Sequence, residues 1–210
     1  MFGIIGAGNI GSAILRAAIQ HGALRADEAH VFDVQAEQTL KLKNELGVTT
    51  HATSRELINA CDVVLLAVKP NVVEKVLKAE KEALKGKALI SIAAGWRVER
   101  LKKLVGDDVR LLRAMPNTPL LVGEGMTVFS REHTLTEAEA VFAEGLFRAL
   151  GRQTWVDEYQ MDAVTALSGS SPAFVYIFTE AMADAGVACG LSRVQAVEMA
   201  AQTLLGSAKM

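Results

Sequence analysis

The chain opens on an apolar run, Phe2-Gly3-Ile4-Ile5, that passes straight into Gly6-Ala7-Gly8-Asn9-Ile10-Gly11 and then into a helical pattern from Ser12 to Gln20. Few folds place three glycines at this spacing between a strand and a helix. The first permits a tight turn, the second lets a pyrophosphate approach the backbone, and the third lets helix and strand pack closely. Free N–H groups and the positive end of the helix dipole then face the phosphates. The loop predicts a doubly wound α/β domain that holds a nicotinamide dinucleotide. Gly6, Ala7, Gly8, Asn9, Ile10 and Gly11 are its first candidate binding residues.

The rest of the N-terminal part continues that rhythm. Apolar runs at 30–32, 62–68, 88–92 and 109–112 alternate with helical patterns at 36–46 and 72–84, which calls for a parallel sheet with right-handed crossovers. The run 63–68 is apolar on both pleat faces, as a strand covered by helices above and below should be. The two prolines of Met115-Pro116-Asn117-Thr118-Pro119 disfavour helix and central strand alike, so this stretch is expected as a stiff loop at the edge of the sheet. Patterns at 126–129, 137–150 and 153–156 complete a dinucleotide-binding domain over residues 1–157.

Residues 158–210 carry only helical patterns, at 160–167, 172–189 and 193–209, punctuated by Ser168-Gly169-Ser170-Ser171 and Gly190. Ser170, Ser171 and Pro172 read as the start of a helix, with a serine cap and proline in the first turn. The N–H groups of such a start are equally suited to holding an anion or ordering a site. The predicted fold class is therefore a Rossmann-type, doubly wound, mostly parallel sheet followed by an all-helical dimerisation domain.

Half of the residues are apolar, and the net charge of −2 is spread without a field of one sign. A soluble globular protein is expected, and nucleic acid is not an expected partner. The longest apolar stretch, 173–190, carries Glu180 and Asp184 and reads as a buried helix rather than a membrane span. Cys61 and Cys189 form no C-x-x-C pair, and the start of the chain leaves no room for a secretory leader. Both features point to the cytoplasm.

An acid is expected about 20 residues past the glycine loop, where it accepts the ribose hydroxyls of NAD and repels the 2′-phosphate of NADP. Asp33 stands there, and Ser54 and Arg55 follow the next turn within possible reach of a 2′-phosphate. Ala67-Val68-Lys69-Pro70 and Ala93-Ala94-Gly95 end later strands with small residues that leave backbone open to a flat ring. His21, His30, His51 and His133 are scattered, and no metal-ligand cluster or Ser-His-Asp set is evident.

Taken together, Gly6 to Gly11, Ala67 to Pro70, Ala93 to Gly95, Met115-Pro116-Asn117-Thr118-Pro119 and Leu167-Ser168-Gly169-Ser170-Ser171-Pro172-Ala173 resemble pyrroline-5-carboxylate reductase in order and spacing over the whole chain. The resemblance implies hydride transfer from NADPH or NADH to the C=N carbon of 1-pyrroline-5-carboxylate, giving L-proline. It implies cofactor contacts at Gly6–Gly11, Ser54, Ala67, Val68, Lys69, Pro70, Ala93, Ala94 and Gly95. It places Asn117 beside nicotinamide and substrate, and Ser168 to Ser171 at the site. Glu158 matches an acidic position near the cofactor. Relatives commonly prefer NADPH, whereas Asp33 argues for NADH. They also continue into a Ser-Pro-Gly-Gly-Thr-Thr segment that grips the substrate, so this chain is expected to be a fragment or a short, inactive form.

An iminium carbon is already electrophilic, so alignment of the two rings matters more than strong acid catalysis. The C-terminal helices are apolar on more than one stripe, including Phe174, Val175, Ile177, Phe178, Met182, Val187, Leu191, Val194, Val197, Met199 and Leu204. They predict a homodimer or higher homo-oligomer. Two alternatives stand beside this reading. A dehydrogenase of the hydroxyacid or 6-phosphogluconate type relies on a lysine in its helical domain, and 160–202 contains none. A non-catalytic nucleotide-binding oligomer would fit a chain without the substrate segment.

Overall fold

The computed structural model describes residues 1–210. Its strands are β1 (Phe2–Ile5), β2 (Ala29–Phe32), β3 (Thr49–Thr50), β4 (Val63–Leu66), β5 (Ala88–Ser91), β6 (Arg110–Met115), β7 (Gly125–Ser130) and β8 (Gly151–Val156). They form one sheet in the order β3-β2-β1-β4-β5-β6-β7-β8, parallel throughout except where β7 runs antiparallel to β6. The helices are α1 (Asn9–Gln20), α2 (Ala36–Leu46), α3 (Ser54–Ala60), α4 (Val73–Glu80), α5 (Val98–Val105), α6 (Glu137–Arg148), α7 (Met161–Val164), α8 (Ser171–Ala188) and α9 (Arg193–Lys209). The expected mostly parallel sheet with a helical C-terminal region is present.

Period-2 alternation divides the core into two layers. Ile4, Leu65, Ile90 and Leu112 point to one face, where Ile14 and Leu15 of α1, Leu42 of α2 and Phe147 of α6 cover them. Their neighbours Ile5, Val64, Leu66, Leu89 and Leu111 point to the other, beneath Leu57 of α3, Leu77 of α4 and Leu101 of α5. Because β1 lies between β2 and β4, the crossovers leave it in opposite directions. A crevice must open at the carboxyl ends of β1 and β4.

Two expectations are corrected. The stretch from Met115 to Pro119 is not at the sheet edge: β6 runs through Met115 and is flanked by β5 and β7. The prolines fall just past the last ladder pairing, so an interior strand accommodates them. The second concerns the helix start: α8 does begin at Ser171 with Pro172 in its first turn, but it has no serine cap and continues a helical stretch that precedes it. Ser170 has right-handed helical backbone, with φ −94° and ψ −29° and no cap bond. The chain stays helical from Met161 through a π-helical stretch, Thr165–Ser170, into α8. Of the two serines that suggested a cap, Ser171 bonds backwards to the Ala166 carbonyl, as Ser168 does to the Val164 carbonyl. The wider π turn makes room for the Pro172 ring, which would clash within an α-helix. No helix N-terminus is presented to an anion there.

After α8 the chain turns at Gly190 and enters α9 through a capping box of Ser192 and Gln195. The two helices meet over small residues, with Ala183, Ala196 and Ala200 buried between them. No helix is long and apolar enough to cross a membrane.

Candidate active site

The glycine loop is built around contacts that only glycine allows. Gly6 has φ +108°, and a Cβ there would stand 2.5 Å from the Ala67 carbonyl oxygen. A Cβ on Gly11 would stand 2.0 Å from the Gly6 carbonyl oxygen, so Gly11 is the packing glycine. Gly8 has no atom within 4 Å of its missing Cβ, and its open side is the crevice. The N–H groups of Gly8, Asn9 and Ile10 have no partner within the chain, as the first turn of a helix requires. Asp33 braces the loop from β2: its carboxylate accepts the Ala7 N–H at 2.7 Å and the Gln35 N–H at 2.8 Å.

Two clefts of about 400 Å³ each run from this loop. One extends over Phe32, Asp33 and Gln35 towards Val76 of α4. The other extends past Pro70, Ala93 and Ala94 to Met115, Asn117 and Gly169. They share Gly8, Asn9, Ala67, Val68 and Lys69, and so form one trough across the carboxyl ends of β1 and β4. Lys69 is the cation common to both halves. Trp96 Nε1 donates to the Pro70 carbonyl at 2.8 Å and fixes the turn after β4.

Asn117 closes the far end. Its Nδ2 donates to the Ser168 carbonyl at 3.1 Å and its Oδ1 accepts the Met126 N–H at 2.8 Å. Within an α-helix the Ser168 carbonyl would pair with the N–H of residue 172, which proline lacks. The asparagine thus fastens the π-helical stretch to the sheet where that ladder is interrupted. Gly169 then lies directly against Met115. Beside it a smaller cavity of about 340 Å³ is lined by Asn117, Ser168, Ser171 and Tyr176.

The trough therefore gathers Gly6, Ala7, Gly8, Asn9, Ile10, Asp33, Ala67, Val68, Lys69, Pro70, Ala93, Ala94 and Asn117. Gly11 lies beneath it, and Ser171 lines the adjoining cavity. Gly95 and Ser170 line none of these spaces. Ser54 also stands apart, with its hydroxyl on Glu80 at 2.8 Å; Arg55 is held by the same carboxylate at 3.1 Å. Glu158 is committed to Arg113 rather than to the trough. Sequence reasoning missed Ser12, Gln38, Val72 and Val76. Helical spacing from Gly8 and Gln35, and between the two valines, was the signal available.

Neither cysteine lies in the trough. Burial pushes the Cys61 thiol up to about 11, which keeps it protonated. His30 and His51 stack at the sheet edge with ring nitrogens 2.8 Å apart, and burial and the neighbouring ring push His30 below its usual range.

A family model described as pyrroline-5-carboxylate reductase dimerisation matches residues 158–210. Another, described as NADP oxidoreductase, coenzyme F420-dependent, matches residues 1–95. The pyrroline-5-carboxylate reductase of Escherichia coli K12 is 37% identical over 209 residues, covering 99% of this chain and 78% of that protein. The chain belongs to the pyrroline-5-carboxylate reductase family. A solved pyrroline-5-carboxylate reductase from Coxiella burnetii superposes with a TM-score of 0.92 at 33% identity, covering 100% of this chain and 78% of that one. The Plasmodium falciparum pyrroline carboxylate reductase, crystallised with NADP bound, gives 0.90 at 32% identity, covering 100% and 77%. The resemblance carried by Met115–Pro119 and Leu167–Ala173 is borne out, and the two alternatives gain no support. Homo-oligomerisation through the C-terminal helices agrees with the family match there.

Proposed function

We propose that this chain reduces 1-pyrroline-5-carboxylate to L-proline with NAD(P)H bound along the trough. The continuity of the trough from Asp33, past the unpaired N–H groups of Gly8 to Ile10, to Asn117 and Gly169 carries this reading. A dinucleotide has that extended shape, with its charge in the middle. When bound, the reduced nicotinamide supplies a hydride to the C=N carbon. The protein's own part is placement. Gly8, Asn9, Ile10 and Lys69 hold the pyrophosphate, and Asp33 takes the adenosine ribose. Ala93 and Ala94 admit the nicotinamide end, and Asn117 with the 168–171 stretch forms the wall against which the imino acid lies. Ser171 lines the adjoining cavity on the substrate side, and Ser170 shapes that wall. Gly95 turns the chain away after β5, and Ser54 stays outside the contact while Glu80 holds it.

We divide the chain into a dinucleotide unit, 1–157, and a helical unit, 158–210, that serves substrate and dimer. The two free thiols and the mixed surface charge support a cytoplasmic enzyme without a nucleic-acid partner. Oxidation of NADH and of NADPH by pyrroline-5-carboxylate tests the assignment. Turnover with at least one cofactor is expected, and binding of both without turnover would refute it.

The cofactor preference is a separate prediction. No arginine or lysine lines the Asp33 end, apart from Lys69 at the phosphates. A carboxylate about 4–5 Å from a 2′-phosphate costs roughly 1–3 kcal/mol at effective dielectrics between surface and water. NADH is therefore the better substrate, and Asp33→Ser should move the kcat/KM ratio towards NADPH by about tenfold or more. An unchanged ratio would show that Asp33 only braces the loop.

A further inference from the structure

We infer that Arg113 is a positioning residue for the reaction, a buried cation that sets where the π-helical stretch stands over the nicotinamide half of the trough. This rests on the reading of the trough given above. Arg113 is 1% exposed and is the largest fully buried side chain in the protein. It lines neither cleft, so it acts through other residues.

Its place on β6 explains how. Two residues onward Met115 packs against Gly169, and four residues onward Asn117 binds the Ser168 carbonyl. On its other side the guanidinium reaches the chain just before the π-helical stretch. Nη1 donates to Glu158 Oε1 at 2.8 Å, and Nη2 lies 3.7 Å from Asp162 Oδ1. Glu158 Oε1 also accepts the Val98 N–H at 3.2 Å, and Arg97 binds Asp162 Oδ2 at 2.9 Å. The strand and the root of the helical arm therefore share one charge centre, buried at Arg113 and Glu158 and open to solvent at Arg97 and Asp162.

That centre is poorly made for stability. Arg113 Nη2 and Glu158 Oε2 are both buried without a hydrogen-bond partner, and a buried ion pair so sparsely bonded rarely outperforms two apolar side chains. What it fixes is direction. From Asp162 to Gly169 is roughly 10 Å of helix at about 1.5 Å per residue, so a swing of about 10° moves Gly169 by nearly 2 Å. A misplacement of about 1 Å can cost on the order of a hundredfold in rate. The phosphate loop and Asp33, on β1 and β2, lie outside this lever.

The test uses the full chain with Arg113→Met, Arg113→Lys and the double variant Arg113→Met with Glu158→Leu. The readouts are melting temperature, NADH affinity by fluorescence, KM and kcat for pyrroline-5-carboxylate, and hydrogen exchange at residues 165–171. For Arg113→Met we expect KM to rise about tenfold or more with a lower kcat, NADH affinity within about twofold, and faster exchange confined to 165–171. Lysine restores part of the KM. The double variant restores the melting temperature and leaves KM high. Recovery of both by the double variant would reduce the pair to a structural role, and a parallel loss of NADH affinity would show that Arg113 supports the whole sheet. If the parent chain turns over no imino acid, the functional reading fails on its own. The exchange data then still decide whether Arg113 holds the stretch, because unchanged exchange at 165–171 overturns the inference.

Discussion

Gly8→Ala should leave the fold intact and abolish tight cofactor binding, whereas Gly11→Ala should damage both. Gly8 has an extended backbone, φ −68° and ψ −172°, with open space where a Cβ would go. Alanine is compatible with that conformation, and the change in chain entropy favours folding by about 0.4–1 kcal/mol. The added methyl would occupy the side from which the pyrophosphate reaches the loop N–H groups. Losing two charge-assisted bonds at about 1.5–3 kcal/mol each weakens NAD(P)H binding by a hundredfold or more. At Gly11 the new Cβ meets a backbone oxygen at 2.0 Å. The loop or helix must move, at a cost of about 1–3 kcal/mol or more, which lowers the melting temperature by several degrees at about 2–4 °C per kcal/mol. Thermal denaturation with and without NADH separates the cases. An equal drop in melting temperature for both variants would show that Gly8 is a packing glycine and not the face that meets phosphate.

The loop was legible because its logic is local. Gly6, Gly8 and Gly11 lie within one strand-turn-helix unit, and their spacing alone distinguishes turn, approach and packing. The buried strands were legible for a similar reason: Val64, Leu65 and Leu66 must be covered on both faces, and only a layered α/β arrangement does that. Asp33 was found by distance along the chain, but its bond to the Ala7 N–H was not, since that depends on how closely β2 returns to the loop.

The nicotinamide end was less legible because its contacts join distant segments. Asn117 and Ser168 are 51 positions apart. Serine and glycine in a row favour helix ends by propensity, yet here tertiary contacts keep the chain helical through them. Pro172 stands in the first turn of α8, as its sequence suggests, and also leaves a carbonyl free for Asn117. Arg113 reads as the polar end of an apolar strand, and its burial is set by Glu158, 45 positions later. Ser54 and Arg55 also have a partner that their sequence neighbourhood does not reveal. Their types suit a phosphate, but the Glu80 carboxylate holds both.

Phe174→Glu with Ile177→Glu should dissolve the assembly and with it the activity. Within one protomer these side chains are 65% and 67% exposed, and Val175, Tyr176 and Phe178 beside them are about half exposed or more. The α8–α9 pair hides only Ala183, Ala196 and Ala200 between its members, so it leaves the larger apolar surface for a partner. Burying each large side chain contributes about 1.5–3 kcal/mol, and placing a carboxylate in the same apolar setting reverses the sign. Two such changes per protomer, repeated across a symmetric contact, weaken association by at least a thousandfold. Activity should fall with it, because α8 continues the π-helical stretch that walls the substrate end of the trough. The cofactor half, on β1, β2 and β4, belongs to the sheet and should keep its affinity in the monomer. Sedimentation velocity with NADH titration reads both. A monomer with undiminished turnover would show that the α8 face serves assembly alone, and a persistent dimer would place the contact elsewhere.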